Sequence, residues 1–364
     1  MGTERFNLSD MEKKIAVILV NYQEYAKKYL QDCYRGLLHQ DYRGELKIMI
    51  VDNASTSESF EYLQNNAPQA EIIKNEHNDG FAKGNNDAIK LALAWGYDYI
   101  FLLNMDTIIE LNAISELVKV LEEDNSRGAV QAKLLLHPET DKINSLGNAT
   151  HFLGFGYCLG YRDLAAKYQD LSVKNIFYPS GAAVLFRAEA LNKVGLFDER
   201  FWMYNEDQDL GWRLWLSGYK IVLAPTALVY HRYEFSRSIS KYYYMDRNRI
   251  LAILKNYHWL TLLLIIPAGI VMELGLAFFA LKSGWFKKKL AVWGYFLNPF
   301  HWVYIIKARN SIQKKRTLKE KEIVKMISGR IWYQEVDSPL LRLANVFLSI
   351  YWFCIKRLII LLNI

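Results

Sequence analysis

The chain has 364 residues, 52% of them hydrophobic, which is ample for a large core and long enough for two regions. Its net charge of +7 is unevenly spread: residues 1–240 hold 25 Lys and Arg against 32 Asp and Glu, and residues 241–364 hold 20 against 6. A basic back half can face nucleic acid or an anionic membrane, and its long apolar runs favour the membrane over nucleic acid.

The first residues, "MGTERFNLSDMEKK", are polar and carry neither an apolar signal core nor a myristoylation pattern. "IAVILVN" (15–21) is a continuous β-branched run and predicts a strand buried on both faces. A helix is expected from Tyr25 to His39. "LKIMIVDNAS" (46–55) predicts a strand ending at Asp52-Asn53, 58–66 a helix, and "AEIIKN" (70–75) a short strand. "DGFAKGNNDAIKLALAWG" (79–96) reads as a glycine turn feeding a helix, with Ile89, Leu91 and Leu93 inward and Asn85 and Asn86 as caps. "YIFLLN" (99–104) is a further strand. "SGAAVLFRAEAL" (180–191) and "YKIVLAPTALVYH" (219–231) also read as strands.

Three apolar runs follow, at 259–281, 290–306 and 340–364. The first is long enough to span about 30 Å of hydrocarbon, though Pro267 and Glu273 interrupt it. Basic flanks and interfacial Trp and Tyr argue for membrane attachment. A spanning hairpin would place Lys282, Lys287, Lys288 and Lys289 outside, against the positive-inside tendency, so shallow insertion is preferred. Cys33, Cys158 and Cys354 stand far apart and predict free thiols.

Strands alternating with helices predict a mostly parallel α/β sheet with flanking helices over 1–240, followed by a basic helical membrane region over 241–364. Ligands in such sheets bind at the carboxyl ends of the strands. Asn21, Asp52 and Asp106 all stand there. Asp106 ends "FLLNMD", where a carboxylate at the tip of a buried strand needs a partner. It either caps a following helix containing Ile108 and Glu110, or binds a cation. "NEDQDLGWR" (205–213) packs Glu206, Asp207 and Asp209 near Phe201, Trp202 and Trp212. This is either a solvated helix start or a partly dry carboxylate poised as a base. His231 at the end of its strand is either structural or a metal ligand. Gly80 and Gly84 either cradle phosphate or relieve steric crowding.

The blocks "VILVNYQEY", "IMIVDNASTSES", "NDGFAKGNNDAI", "FLLNMDT", "GLFDERFWMYNEDQDLGWRLWLSG" and "VYHRY" together resemble family 2 glycosyltransferases of the GT-A fold, over roughly residues 15–233. The closest resemblance is to a subgroup of rhamnosyltransferases and relatives that build bacterial cell-surface polysaccharides. The resemblance implies a nucleotide-diphosphate sugar donor near Asn21, Asp52, Gly80, Gly84, Asn104 and Asp106. It implies Mg²⁺ or Mn²⁺ on Asp106, the last acid of the DxD motif, with His231 as a second ligand. Asn104 departs from that motif, having one charge fewer. Asp207 matches the general base of a single inverting displacement, with Arg213 supporting the acidic cluster. Glu206 and Trp202 would face the acceptor. Arg247 and Arg249 in "YYYMDRNRI" either meet the diphosphate of a lipid-linked acceptor or form a solvated basic patch. The expected place of action is the cytoplasmic face of the membrane. Two rivals stand beside rhamnosyl transfer: another donor sugar such as a hexose or galactofuranose, and a catalytically silent scaffold.

Overall fold

A computed structural model describes residues 13–234, 242–332 and 339–364. The N-terminal reading of residues 1–12 and the boundary at 240/241 lie outside them. The elements β1 (Ile15–Asn21), α1 (Tyr25–Leu38), β2 (Leu46–Asn53), α2 (Ser57–Asn66), β3 (Glu71–Asn75), α3 (Gly80–Ala94) and β4 (Tyr99–Leu103) alternate as expected. Then come β5 (Thr107–Ile109), α4 (Ala113–Glu122), β6 (Arg127–Leu136) and four short strands. These are β7 (Ile143–Ser145), β8 (Asn148–Thr150), β9 (Gly156–Cys158) and β10 (Lys174–Asn175). The front half closes with β11 (Ala183–Arg187), α5 (Ala188–Val194), α6 (Glu206–Leu216) and β12 (Lys220–His231).

The main sheet runs β10-β12-β6-β11-β4-β1-β2-β3. β1 pairs parallel with β2 and β4, β2 with β3, and β6 with β12. Only β11 runs against its neighbours in the centre, antiparallel to both β4 and β6. It is shorter than expected, because Arg187 hands over to α5 instead of continuing the strand.

Side chains alternate along β1. Ile15, Val17 and Leu19 enter one core, and Ala16 and Ile18 the other. Burying each large aliphatic side chain contributes about 1.5–3 kcal/mol. That exceeds the roughly 1–2 kcal/mol lost in ordering a residue's backbone. Helices α1 and α4 cover the first face with Leu30, Leu37, Leu117 and Leu121; α3, α5 and α6 cover the second. In α3 the inward positions are Ala82, Ala88, Ile89 and Ala92, while Leu91 lies exposed on the flank. The helix sits close against β1 and β2, so small residues take the contact.

Among the described residues, the regular elements of the back half are all helices. It contains α7 (Tyr242–Asn256), α8 (Trp259–Lys282), α9 (Phe286–Leu297), α10 (Pro299–Lys315), α11 (Glu320–Met326) and α12 (Pro339–Leu361). Pro267 does not break α8, which continues through it. Asn298 does end α9, and its side chain accepts from Phe300 N at 3.0 Å to cap α10. The two halves share a core: Trp212 of α6 meets Tyr257 edge-on at 4.6 Å between ring centroids, and Phe152 stacks on Trp352 at 5.0 Å.

Candidate active site

Parallel pairing brings the ends of β1, β2 and β4 to one edge, with Asn21 level with Asp52. A cavity of about 430 Å³ opens there. Gly80, Asn104, Asp106, Trp202, Glu206, Asp207 and His231 all line it.

Asp106 caps no helix, because β5 begins at the next residue. That strand pairs antiparallel with the end of β12, setting His231 opposite Thr107, and Arg232 N donates to Asp106 O at 2.9 Å. His231 Nε2 consequently stands 3.3 Å from Asp106 Oδ1, with both side chains almost wholly buried. On the far side of the ring, Nδ1 lies 3.0 Å from Asn144 Oδ1. An amide oxygen can only accept, so Nδ1 carries the proton. In the neutral ring Nε2 then turns its lone pair toward the carboxylate, and a cation between them would be bound by both. Two cis ligands about 2.1 Å from an octahedral cation stand about 3 Å apart, so the pair fits Mg²⁺ or Mn²⁺. Among the described residues no group of three or more His, Cys, Asp or Glu side chains converges as a metal site. Two protein ligands suit a cation that keeps waters and substrate oxygens.

The second pair is Glu206 and Asp207, in the first turn of α6. Burial raises the Asp207 carboxyl to about 6, against the pull of the Gln208 and Gly181 amides. Burial, with the neighbouring Asp207 charge, pushes Glu206 well above the carboxylate range. Both carboxyls are thus raised, Glu206 by desolvation together with the Asp207 charge and Asp207 by desolvation. Glu206 Oε2 is buried and makes no hydrogen bond within the protein. Asp209 behaves oppositely. Burial would raise it, but Lys255 and Arg213 outweigh that and hold it low. Arg213 Nε donates to Asp209 Oδ2 at 2.9 Å, so the arginine supports the helix as expected.

The chain before α6 is bent hard. Trp202 has φ 62 and ψ −58, and Met203 N donates to Phe201 O at 2.7 Å, which makes a strained γ-turn. Tyr204 and Asn205 also have φ values of 69 and 63. Asn248 of α7 donates to Phe201 O at 2.9 Å, Met203 O at 2.9 Å and Tyr204 O at 2.7 Å. Arg247 adds bonds to Arg200 O at 2.7 Å and Phe201 O at 3.1 Å. Neither Arg247 nor Arg249 lines the cavity, contrary to a role on an acceptor diphosphate. Arg247 clamps this turn, and Arg249 is buried on Asp246 and Glu273.

Asn21 and Asp52 also stand behind the wall. Asn21 Nδ2 donates to Asp52 Oδ1 at 2.7 Å, and Asn21 Oδ1 accepts from Ala26 N. Asp52 is 1% exposed, and its neighbour Asn53 reaches the cavity instead. Gly84 lies beneath, where a Cβ would be 3.5 Å from Asn53 and Val20. At Gly80, φ is +81 and a Cβ would fall 2.4 Å from Trp202 O, so the glycine is needed sterically. The amides of Asp79, Gly80 and Ala82 donate to Asn53, Asn78 and Trp202, which leaves little for a phosphate cradle. Asn85 and Asn86 do not cap α3. They lie inside it, Asn86 holding Phe197 O at 2.9 Å.

Sequence reasoning missed Asn144, Asn248 and an aromatic wall that includes Tyr157, Tyr178 and Tyr233. Asn144 and the aromatic residues come from short strands and loops with no periodic signal, and Asn248 from a helix whose buried partners its sequence does not show.

A two-faced, mostly parallel sheet with such a cavity at its carboxyl edge is a GT-A-like arrangement. Residues 16–195 match the family described as "Glycosyl transferase family 2". A poly-beta-1,6-N-acetyl-D-glucosamine synthase of Staphylococcus epidermidis is 25% identical over 218 residues, covering 59% of this chain and 48% of that one. The synthase of Staphylococcus aureus (strain COL) is 25% identical over 224 residues, covering 61% and 50%. The chain thus spans about half the length of these curated relatives, and they are named for a glucosamine polymer, not for rhamnose. A structure of GalNAc-T7 with UDP, GalNAc and Mn²⁺ shares the fold, with a TM-score of 0.53, 12% identity and coverage of 67% of this chain and 48% of that one.

Proposed function

We propose that the protein transfers a sugar, with inversion, from a nucleotide-diphosphate donor to a lipid-linked saccharide at the cytoplasmic face of the membrane, in cell-surface polysaccharide synthesis. The observation that carries this reading is the meeting of two unlike pairs in one cavity: Asp106 with His231, and Glu206 with Asp207. Asp106 and His231 would hold Mg²⁺ or Mn²⁺, which offsets negative charge on the leaving diphosphate. Asn144 fixes the His231 ring. Asp207, ionised above about pH 6, takes the proton from the acceptor hydroxyl as its oxygen attacks the anomeric carbon. Glu206, whose Oε2 has no partner among the described residues, bonds a sugar or acceptor hydroxyl. Cys158 takes no covalent part, because burial raises its thiol to about 12 and leaves it neutral.

The motif resemblance supports rhamnose as the donor sugar, and the relatives' names support N-acetylglucosamine. A thermal-shift screen of nucleotide-diphosphate sugars with Mn²⁺ separates them, since a ligand of the folded state raises its apparent stability. Mn²⁺-dependent donor hydrolysis by the purified chain tests the enzyme reading. Absence of both binding and hydrolysis for every donor would leave the scaffold reading in its place.

A further inference from the structure

The two longest apolar helices, α8 and α12, have the length and composition to cross a membrane. Their packing is that of helices lying along the protein. On α8, Thr261, Ile265 and Ala268 are buried before the helix midpoint and Ala277 and Ala280 after it. Near the midpoint Gly269 approaches Leu153, a Cβ at that position lying 4.0 Å from the Leu153 side chain. Glu273, just beyond, pairs with Arg249 of α7 and with Lys289 Nζ at 2.6 Å. Lys289 is itself fully buried and also meets Asp246 at 2.7 Å, so it is no surface charge. On α12, Trp352, two residues past the midpoint, is 2% exposed, stacks on Phe152, and donates from Nε1 to Ile327 O at 3.0 Å. Tyr351 OH donates to Leu264 O at 2.5 Å, tying the two helices together.

Two consecutive residues of the catalytic half, Phe152 and Leu153, thus lie against Trp352 of α12 and beside Gly269 of α8. In a spanning helix the midpoint lies about 15 Å from either surface of the hydrocarbon. Spanning would carry the ion-paired cluster of Glu273, Arg249 and Lys289 and the adjoining edge of the catalytic half to that depth, where the partly exposed Glu273 carboxylate is costly. α9, with 12 residues, is too short to return a hairpin.

The outward faces are nonetheless strongly apolar. Ile270, Val271, Leu274 and Phe278 on α8, and Phe347 and Ile350 on α12, are more than half exposed. The exposed charge around them is nearly all positive: Lys282, Lys287, Lys288 and Lys307 face solvent. Among the described acidic residues of the region, Asp246, Glu273 and Glu320 are each held by internal cations. Only Glu322 is exposed, and it pairs with Lys325.

We propose that α8 and α12 lie in the plane of an anionic bilayer, on one side only, with their outer faces sunk about 5–10 Å into the headgroup boundary. This rests on the attachment part of the proposed function and is independent of its chemistry. The segment seated on both helices runs on to Gly156, Tyr157 and Cys158 in the cavity wall, so the lipid surface and the site are joined by a few residues.

The test uses the full chain in a Cys354→Ser background, floated with sealed vesicles of phosphatidylethanolamine and phosphatidylglycerol. Ser283→Cys reports the turn after α8, and Asn66→Cys reports the catalytic half. A membrane-impermeant maleimide added outside should label both to the same extent, with and without detergent, above the Cys158 background of the parent. Flotation with Ser283→Cys shielded until detergent is added would overturn the in-plane arrangement and leave attachment standing. Failure to float would overturn both. Val271→Asn with Phe347→Ser, both at exposed positions, should keep the folded spectrum and Mn²⁺-dependent donor hydrolysis yet lower the floated fraction several-fold. Unchanged flotation would show that these faces do not meet lipid.

Discussion

His231 Nε2 faces Asp106 Oδ1 across 3.3 Å while Asn144 Oδ1 holds the opposite ring nitrogen at 3.0 Å. The three residues come from β12, the β4–β5 turn and β7, so only the folded sheet brings them together. The arrangement would serve as a cation ligand pair with an orienting partner, and such partners typically matter about 10–100-fold for metal affinity.

Asp106→Ala should therefore abolish Mn²⁺-dependent binding of a nucleoside diphosphate, as read by calorimetric titration. His231→Ala should weaken it less, since a neutral ligand is lost. Asn144→Ala should weaken it about 10-fold through the freed ring. Equal affinity in all three variants would remove the metal role.

Asp207 and Glu206 predict a pH profile. Transfer needs ionised Asp207, so kcat/KM should rise with pH through about 6. Asp207→Asn should lower transfer by about 10²- to 10⁴-fold with donor binding retained. Glu206→Gln should keep the limb near 6 and cost less, because its amide still bonds a hydroxyl. A Glu206→Gln protein that is dead beside an active Asp207→Asn would exchange their roles.

The same shifts have a stability consequence. A carboxyl whose folded pKa lies above its unfolded value binds more protons when folded, so stability falls as pH rises from about 4 to about 6. At pH 8 the wild type bears that full cost. Asp207→Asn removes it, so the variant's Tm should exceed wild type by a few degrees at pH 8, and the gap should close toward pH 3.5. A variant less stable at pH 8 would mean that the acidic turn is held together by the Asp207 charge.

Much of the fold was legible from residues alone. The apolar runs at 15–21, 46–53 and 99–103 and the helical spacing between them set the order of strands, because burial on both faces of a sheet leaves a plain signature. Asp106, His231, Glu206 and Asp207 stood out as polar groups beside apolar runs, and the structure brings all four to one cavity. Asn21 and Asp52 looked the same and are instead bonded to each other behind the wall. Arg247 and Arg249 looked like surface cations because charge alone does not show which carbonyls or carboxylates a helix will meet. The aromatic wall and Asn144 lie in short strands and irregular loops, where position is set by long-range pairing. Pro267 was expected to interrupt α8 and does not, because proline's effect on a helix depends on the packing around it.

Gly80 offers a test of crowding apart from chemistry. Gly80→Ala would place a methyl 2.4 Å from Trp202 O in a backbone region that L side chains avoid. The variant should lose both stability and donor binding, while Gly84→Ala, whose Cβ finds 3.5 Å of room, should keep both. Thermal melts with Mn²⁺ and a nucleoside diphosphate check this, and equal behaviour of the two variants would contradict the steric role.

Asn248 gives the last prediction. Its amide catches three carbonyls of a stretch in which Trp202, Tyr204 and Asn205 all hold positive φ. Such residues cost roughly 1–2 kcal/mol each, so the turn persists only because its neighbours hold it. The turn leads straight into the first helical residues, Glu206 and Asp207. Asn248→Ala should relax it, admit water to the Asp207 carboxyl, and let its pKa fall toward the ordinary value near 4. The acidic limb of kcat/KM should move down with it, and kcat should drop while Mn²⁺ and nucleoside diphosphate bind as before. A purely structural role would lower Tm and leave the limb near 6. Asn248→Asp, which keeps the size but loses the two N–H donors, should behave like the alanine variant, and Asn248→Gln should restore part of the activity. If the limb stays fixed in all three variants, the clamp does not set the environment of the base.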